Sequence, residues 1–145
     1  MDLSKIFEIS GSALSAQSTR LNTIASNLAN ADAATGDPES VYRARHPVFA
    51  TVLEQAASAG AGTGQGEAGA GVRVAGIVES QAPPIARYEP GHPLADEQGY
   101  IYLPAINTVE QMADMISASR SYSSSVEVLS TTKELMLRTL QLGRG

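Results

Sequence analysis

The first 31 residues, MDLSKIFEISGSALSAQSTRLNTIASNLANA (Met1–Ala31), decide the architecture. Leu3, Phe7, Leu14, Leu21, Ile24 and Leu28 fall on the series 3, 7, 10, 14, 17, 21, 24, 28, whose steps of four and three are those of a heptad seam. Only Ser10 and Gln17 interrupt it. Ile6, Ile9, Ala13 and Ala16 form a second line beside the first, so this helix is built to meet more than one neighbour. Asp32, Thr35, Gly36, Asp37 and Pro38 break the pattern, with Asn30 as a stop. The spacing predicts a helix over 4–29, about 40 Å long at 1.5 Å per residue.

The other end of the chain mirrors this one. Pro104 closes the preceding segment, and Asn107 with Glu110, or Thr108 with Gln111, has the spacing of a capping box. Met112, Met115, Ile116, Tyr122, Val126, Leu129, Met136 and Leu140 follow at helical intervals, and Gly143 offers a stop. The middle of this helix is rich in serine and threonine, which compete for backbone hydrogen bonds, so packing must hold it together.

Between the helices the composition changes. Ala56–Gly71 reads AASAGAGTGQGEAGAG, with almost nothing to bury and much backbone entropy to lose, and is expected to be a flexible loop whose shortening is nearly silent. Short β-type pieces flank it at Val41–Val48, Val72–Val78, Ile85–Tyr88 and Tyr100–Leu103. Turn-forming runs at Pro83–Pro84, Pro90–Pro93 and Asp96–Gly99 divide the last three into hairpin-like units. The expected fold is mainly α with a small β insert: long antiparallel, coiled-coil-like terminal helices joined by an extended, β-hairpin middle region. Residues 1–31 and 107–145 are read as one discontinuous helical domain around an insert over 32–106.

Composition removes several classes of function. Of 145 residues, 10 are Lys or Arg and 15 are Asp or Glu, giving a net charge of −5 and no basic surplus for phosphates or anionic lipid. Cysteine is absent, which excludes disulfides, thiol nucleophiles and cysteine-bearing zinc sites. No run of 18 apolar residues exists to span a membrane, and the N-terminus predicts no cleaved signal. His46 and His92 lie beside prolines and read as exposed polar residues. Asp96 and Glu97 beside Gly99 lack the oxygen spacing of a calcium loop and read as a turn. Arg43 and Arg45 alternate on one face of a β-type piece and read as solvated. The expectation is no catalytic residue, no cofactor and no metal.

A two-helix hairpin buries one stripe of each helix. The line through Ile6, Ile9, Ala13 and Ala16, and the offset pair of C-terminal stripes (Met112, Ile116, Val126 against Met115, Tyr122, Leu129), are therefore expected to stay wet and to mark an interface. Packing of these stripes on the β insert within one molecule is the competing expectation. An adaptor forming small closed oligomers, and a small hydrolase using a serine with His46 or His92, are the rival functional readings.

The stretch Leu14–Phe49, LSAQSTRLNTIASNLANADAATGDPESVYRARHPVF, resembles the N-terminal signature of the bacterial flagellar rod and hook proteins, in which a helix ends in an Asn-Leu/Ile-Ala-Asn-Ala motif. Here that motif is Asn27, Leu28, Ala29, Asn30 and Ala31. From Gly71 to Gly143, the segments GVRVAGIV, YEPGHPLADEQGYIYLP, INTVEQMADMISASRSYSSSVEVL and LRTLQLG are similar in order and spacing to the proximal-rod members of that family, with Pro104, Asn107 and Glu110 among the matching residues. The chain departs from the pattern in its Gly/Ala tract and at Ser123–Ser125. The resemblance implies a non-enzymatic structural subunit of the basal-body rod, exported by the flagellar type III machinery into the periplasm. It implies assembly with its own copies, with FlgB-, FlgF- and FliE-like proteins and with the membrane-ring protein, and neither nucleic-acid binding nor membrane insertion.

Overall fold

A helix, two antiparallel hairpins and a longer helix follow one another along the chain: α1 (Leu3–Ala29), β1 (Arg45–Leu53), β2 (Ala70–Glu79), β3 (Ile85–Tyr88), β4 (Tyr100–Leu103) and α2 (Thr108–Leu142). The computed structural model describes residues 3–53 and 70–143. Most of the Gly/Ala tract expected to be a loop therefore lies outside the described residues.

Helix α1 ends where Asn30 donates from both its amide N–H (3.2 Å) and its side-chain Nδ2 (2.8 Å) to the Ser26 carbonyl, saturating one of the last acceptors of the helix. The chain then turns back, and Thr35 exchanges two backbone hydrogen bonds with Tyr102 on the outer edge of β4, at 2.9 and 2.8 Å. Next to it Gly36 lies so close to the Leu94 carbonyl that a Cβ there would stand 2.6 Å from the oxygen. Only glycine fits that approach.

The two hairpins form separate two-stranded sheets. Strand β1 pairs with β2 from Arg45↔Glu79 to Leu53↔Ala70, and a bulge falls where Val48↔Gly76 gives way to Phe49↔Val74. The sequence had suggested a first β piece over Val41–Val48 and hairpins among the last three. Instead the strand begins at Arg45, because Val41 and Ala44 are drawn into the core and the Ala44 carbonyl accepts from Ser80 N–H at 2.7 Å. Its partner lies beyond the Gly/Ala tract, while β3 and β4 pair with each other over the predicted residues, Ile85↔Leu103 to Tyr88↔Tyr100.

One carboxylate organises the β3–β4 connection. Asp96 Oδ1 accepts from the N–H groups of Gln98 (3.0 Å) and Tyr100 (2.8 Å), and Oδ2 accepts from the Tyr102 hydroxyl at 3.0 Å. Gly99 takes the left-handed conformation, φ 84°, that lets the chain close around it. The turn expected around Asp96 and Gly99 is present.

Helix α2 starts at Asn107, whose Oδ1 accepts from Val109 N–H (3.1 Å) and Glu110 N–H (3.3 Å). The serines in its middle return their hydroxyls to the preceding turn, as Ser121 does to the Ser117 carbonyl and Ser125 to that of Ser121, both at 3.1 Å. Helix α2 packs antiparallel along α1, with the end of α1 beside the start of α2. The β1–β2 hairpin lies on α1 as well, so α1 is central and α2 peripheral. The core is thin: among the described residues its buried apolar members are Ala16, Ile24, Ala31, Val41, Ala44, Ile101 and Ala118, more than half of them alanine.

The Tyr100 amide, followed by the other hydrogen bonds to Asp96, holds its carboxyl below the ordinary value of 3.8. A depressed folded-state pKa contributes stability that is complete above the unfolded value and disappears as pH falls through the folded one. We therefore expect this hairpin to keep its order down to pH 4 or below and to loosen only in stronger acid, whereas Asp96→Ala loosens it at neutral pH. Amide hydrogen exchange at Gln98 and Tyr100 reads both effects.

Candidate assembly surface

Helix α2 carries two adjacent lines of residues, and only one of them is used inside the molecule. The inner line alternates Gln111, Ala118, Ser125 and Thr132 with Met115, Tyr122, Leu129 and Met136, each set seven residues apart. Gln111, Ala118 and Thr132 are buried, and Met115, Leu129 and Met136 are half-buried. On α1, Ile24 is buried and Phe7, Leu14, Leu21 and Leu28 are half-buried, while Leu3 opens the helix with its side chain outside the described residues. Gln17, which interrupts the apolar series, leaves its Oε1 without a hydrogen-bond partner among the described residues.

At the crossing of the two helices sits Asn27, 1% exposed. Its Nδ2 donates to the Arg45 carbonyl (2.8 Å) and to Gln111 Oε1 (3.1 Å); its Oδ1 accepts from Arg45 N–H (2.8 Å) and from the Tyr42 hydroxyl (3.1 Å). The side-chain amide thus pairs with the backbone of Arg45 as a neighbouring strand would, and with α2 through Gln111. Tyr42 reaches on to Ser26 Oγ at 3.0 Å, and the Arg45 guanidinium lies 5.7 Å from the Tyr42 ring centroid. Two turns earlier on α1, Arg20 meets Asp114 at 2.9 Å. That pair is part-exposed, and its value is register more than energy.

The remaining motif residues divide by depth. Ala31 and Pro104 are buried, Leu28 and Asn30 half-buried, and Ala29, Asn107 and Glu110 exposed, with the Glu110 amide being what the cap uses. His92 Nδ1 accepts from Leu94 N–H at 3.1 Å as part of the turn, and His46 lies exposed on β1.

The expected wet faces are overturned in two places, the first being the α2 stripe of Met115 and Leu129, which is half-buried where α2 lies along α1. The line Ile6, Ile9, Ala13, Ala16 does not stay wet: Ala16 is buried and the others are half-buried, because the β1–β2 hairpin packs over this side of α1. Ser12 fixes the contact, its Oγ accepting from Val72 N–H at 3.1 Å. The competing expectation of packing on the insert holds for α1 and fails for α2, which among the described elements meets α1 alone. Its outer line stays in water, with Val109 73%, Met112 51%, Ile116 55%, Val126 44% and Leu140 60% exposed. Tyr122, on the inner line, is also exposed at 38%.

This surface is a largely apolar face on a long helix, and such faces mark contacts with other chains. Sequence reasoning missed Gln111, Arg20, Asp114 and Tyr42, which set the crossing. A search for polar or small residues at heptad spacing, as 111, 118, 125 and 132, would have found the first of them.

Comparison with known proteins follows the same division. Residues 7–36, which hold most of α1, match the family described as flagella basal body rod protein, and residues 97–142, which hold β4 and α2, match the flagellar basal body rod FlgEFG protein C-terminal family. Over 144 residues, 99% of this chain and all of the relative, the sequence is 52% identical to the flagellar basal-body rod protein FlgC of Escherichia coli O6:H1. It is 51% identical to FlgC of Salmonella typhimurium over the same span, and 32% identical over the full length of both chains to FlgC of Borreliella burgdorferi.

Replacing Asn27 strands the Arg45 backbone and Gln111 together, so Asn27→Ala is expected to cost about 2–3 kcal/mol, the penalty for leaving buried polar partners unpaired. Asn27→Asp should be no better, since it removes the donors to Gln111 and the Arg45 carbonyl. Urea unfolding followed by far-UV circular dichroism measures both.

Proposed function

We infer the role of this molecule from one premise: the chain belongs to the flagellar basal-body rod protein family. It is a structural subunit of the rod and not an enzyme, and its place is the flagellar basal body. The observation that gives this role a physical basis is the outer line of α2, a largely apolar face about 45 Å long at helical rise that no other described element covers.

The finer reading is our proposal. The subunit sits in the proximal rod and joins its own copies and FlgB-, FlgF- and FliE-like neighbours, with the β1–β2 hairpin turned toward the membrane-ring protein. It reaches the periplasm through the flagellar type III machinery. A thin, alanine-rich core supports this route, because a marginal fold is easily carried as an open chain and gains order when its exposed face is covered. Contacts between unlike faces extend into a helical assembly, whereas self-complementary ones close. Torque would be carried across many such seams. A closed adaptor oligomer is the rival.

Ile116 and Leu129 separate folding from assembly. Ile116→Glu places a charge on the outer line, where the lone molecule tolerates it, so circular dichroism should be unchanged while swimming in soft agar is lost. Leu129→Asp faces α1, and burying an unpaired charge there costs several kcal/mol. It should lose both. Normal swimming with Ile116→Glu overturns the assembly role of this face.

A further inference from the structure

We propose that the outer line of α2 in one copy packs against the outward line of α1 in a second copy, a contact between unlike helices. The proposal rests on the rod-subunit reading and names which surface covers the apolar face.

The outer line of α2 steps by three and four through positions 109, 112, 116, 119, 123, 126, 130, 133, 137 and 140, the pattern of a second heptad seam lying one residue beyond the inner one. Large apolar residues occupy both ends, serines the middle, and the sole charge is Lys133. Helix α1 has a line of the same pattern on the side away from its core, at 4, 8, 11, 15, 18, 22, 25 and 29, and every one of these residues is exposed. From Gly11 onward nothing on it is larger than asparagine: Gly11, Ser15, Ser18, Asn22, Ala25, Ala29. Its sole charge is Glu8, opposite in sign to Lys133.

The two lines are complementary in size and charge under a register the molecule already uses. Within one copy the antiparallel helices set Asn27 beside Gln111 and Arg20 beside Asp114. A neighbour lying alongside in that register brings Met112 to Ala25, Ile116 to the gap between Ser18 and Asn22, and Val126 to Gly11. Each bulky side chain meets a small one, which is what lets ridges enter grooves and helix axes close to about 8–10 Å. The same register sets Lys133 opposite Ser4, about one turn from Glu8. At Gly11 a Cβ would meet nothing within 4 Å, so the space for a neighbour's Val126 is present in the lone molecule. Pairing of α2 with α2 would set knob against knob.

The chain contains no cysteine, which makes cross-linking specific. Two differently tagged copies, one with Ala25→Cys and one with Met112→Cys, are expressed together in place of the native gene, and basal bodies are isolated and oxidised. A disulfide-linked pair carrying both tags is expected, with none when Val78→Cys replaces Met112→Cys. Absence of the 25–112 link in basal bodies from swimming cells overturns the face pairing and leaves the rod role standing, as does a dominant link between two Met112→Cys copies. Glu8→Lys and Lys133→Glu should each depress swimming and incorporation, and the double reversal should restore them; failure of the double variant to recover beyond the singles also overturns it. Cells that swim normally with the gene deleted would overturn the rod reading itself.

Discussion

The molecule turns on a single buried amide. Asn27 satisfies all of its close hydrogen-bonding partners with groups from three different elements: the Arg45 backbone at the head of β1, Gln111 at the head of α2, and Tyr42 in the loop between α1 and β1. An uncompensated amide in that position would be costly, and a compensated one permits very little displacement of its partners. Apolar packing along a helix pair with a core this poor in large side chains could slide by a turn at modest cost. The Asn27 network removes that freedom, and the Arg20–Asp114 pair repeats the constraint nearby. Register, in this chain, is a polar property.

A fixed register inside the subunit has consequences outside it. The outer line of α2 is useful as a contact only if its residues stand at defined heights relative to the rest of the molecule, and the same crossing that sets Gln111 against Asn27 sets Met112 one residue away. Polar side chains at the seam therefore determine where apolar ones are presented. This division also explains why the middle of α2 tolerates so many serines. Their hydroxyls are returned to carbonyls of the preceding turn, and their small size leaves both lines of the helix smooth where two neighbours would otherwise compete for space.

Much of the fold was legible because its signals are local. The 3, 7, 10, 14 spacing gives α1 to within a residue of its observed start, Asn107 marks the cap of α2, and turn residues around Asp96 bracket β3 and β4 where they occur. Pairing of β1 with β2 was hidden, since its two strands flank a tract whose composition says nothing about what it joins. The fate of the Ile6, Ile9, Ala13, Ala16 line was hidden for the same reason: periodicity reports that a face wants cover but not which element provides it. At the assembly surface, apolar periodicity separated the stripe of Met112, Ile116 and Val126 from that of Met115, Tyr122 and Leu129 without telling which of them α1 covers. The line that divides the two sets is drawn by Gln111, Ala118 and Thr132, residues an apolar search passes over.

Growth of a shaft asks for a subunit that is incomplete in a directed way. The hairpin covers one side of α1 and leaves it a narrow line of small residues, while α2 keeps bulk and a positive charge. The two free faces are consequently unlike, which favours contact of α1 with α2 between copies over contact of like helices. The small β insert, which adds little to the core, thus decides which surface the chain leaves for a neighbour.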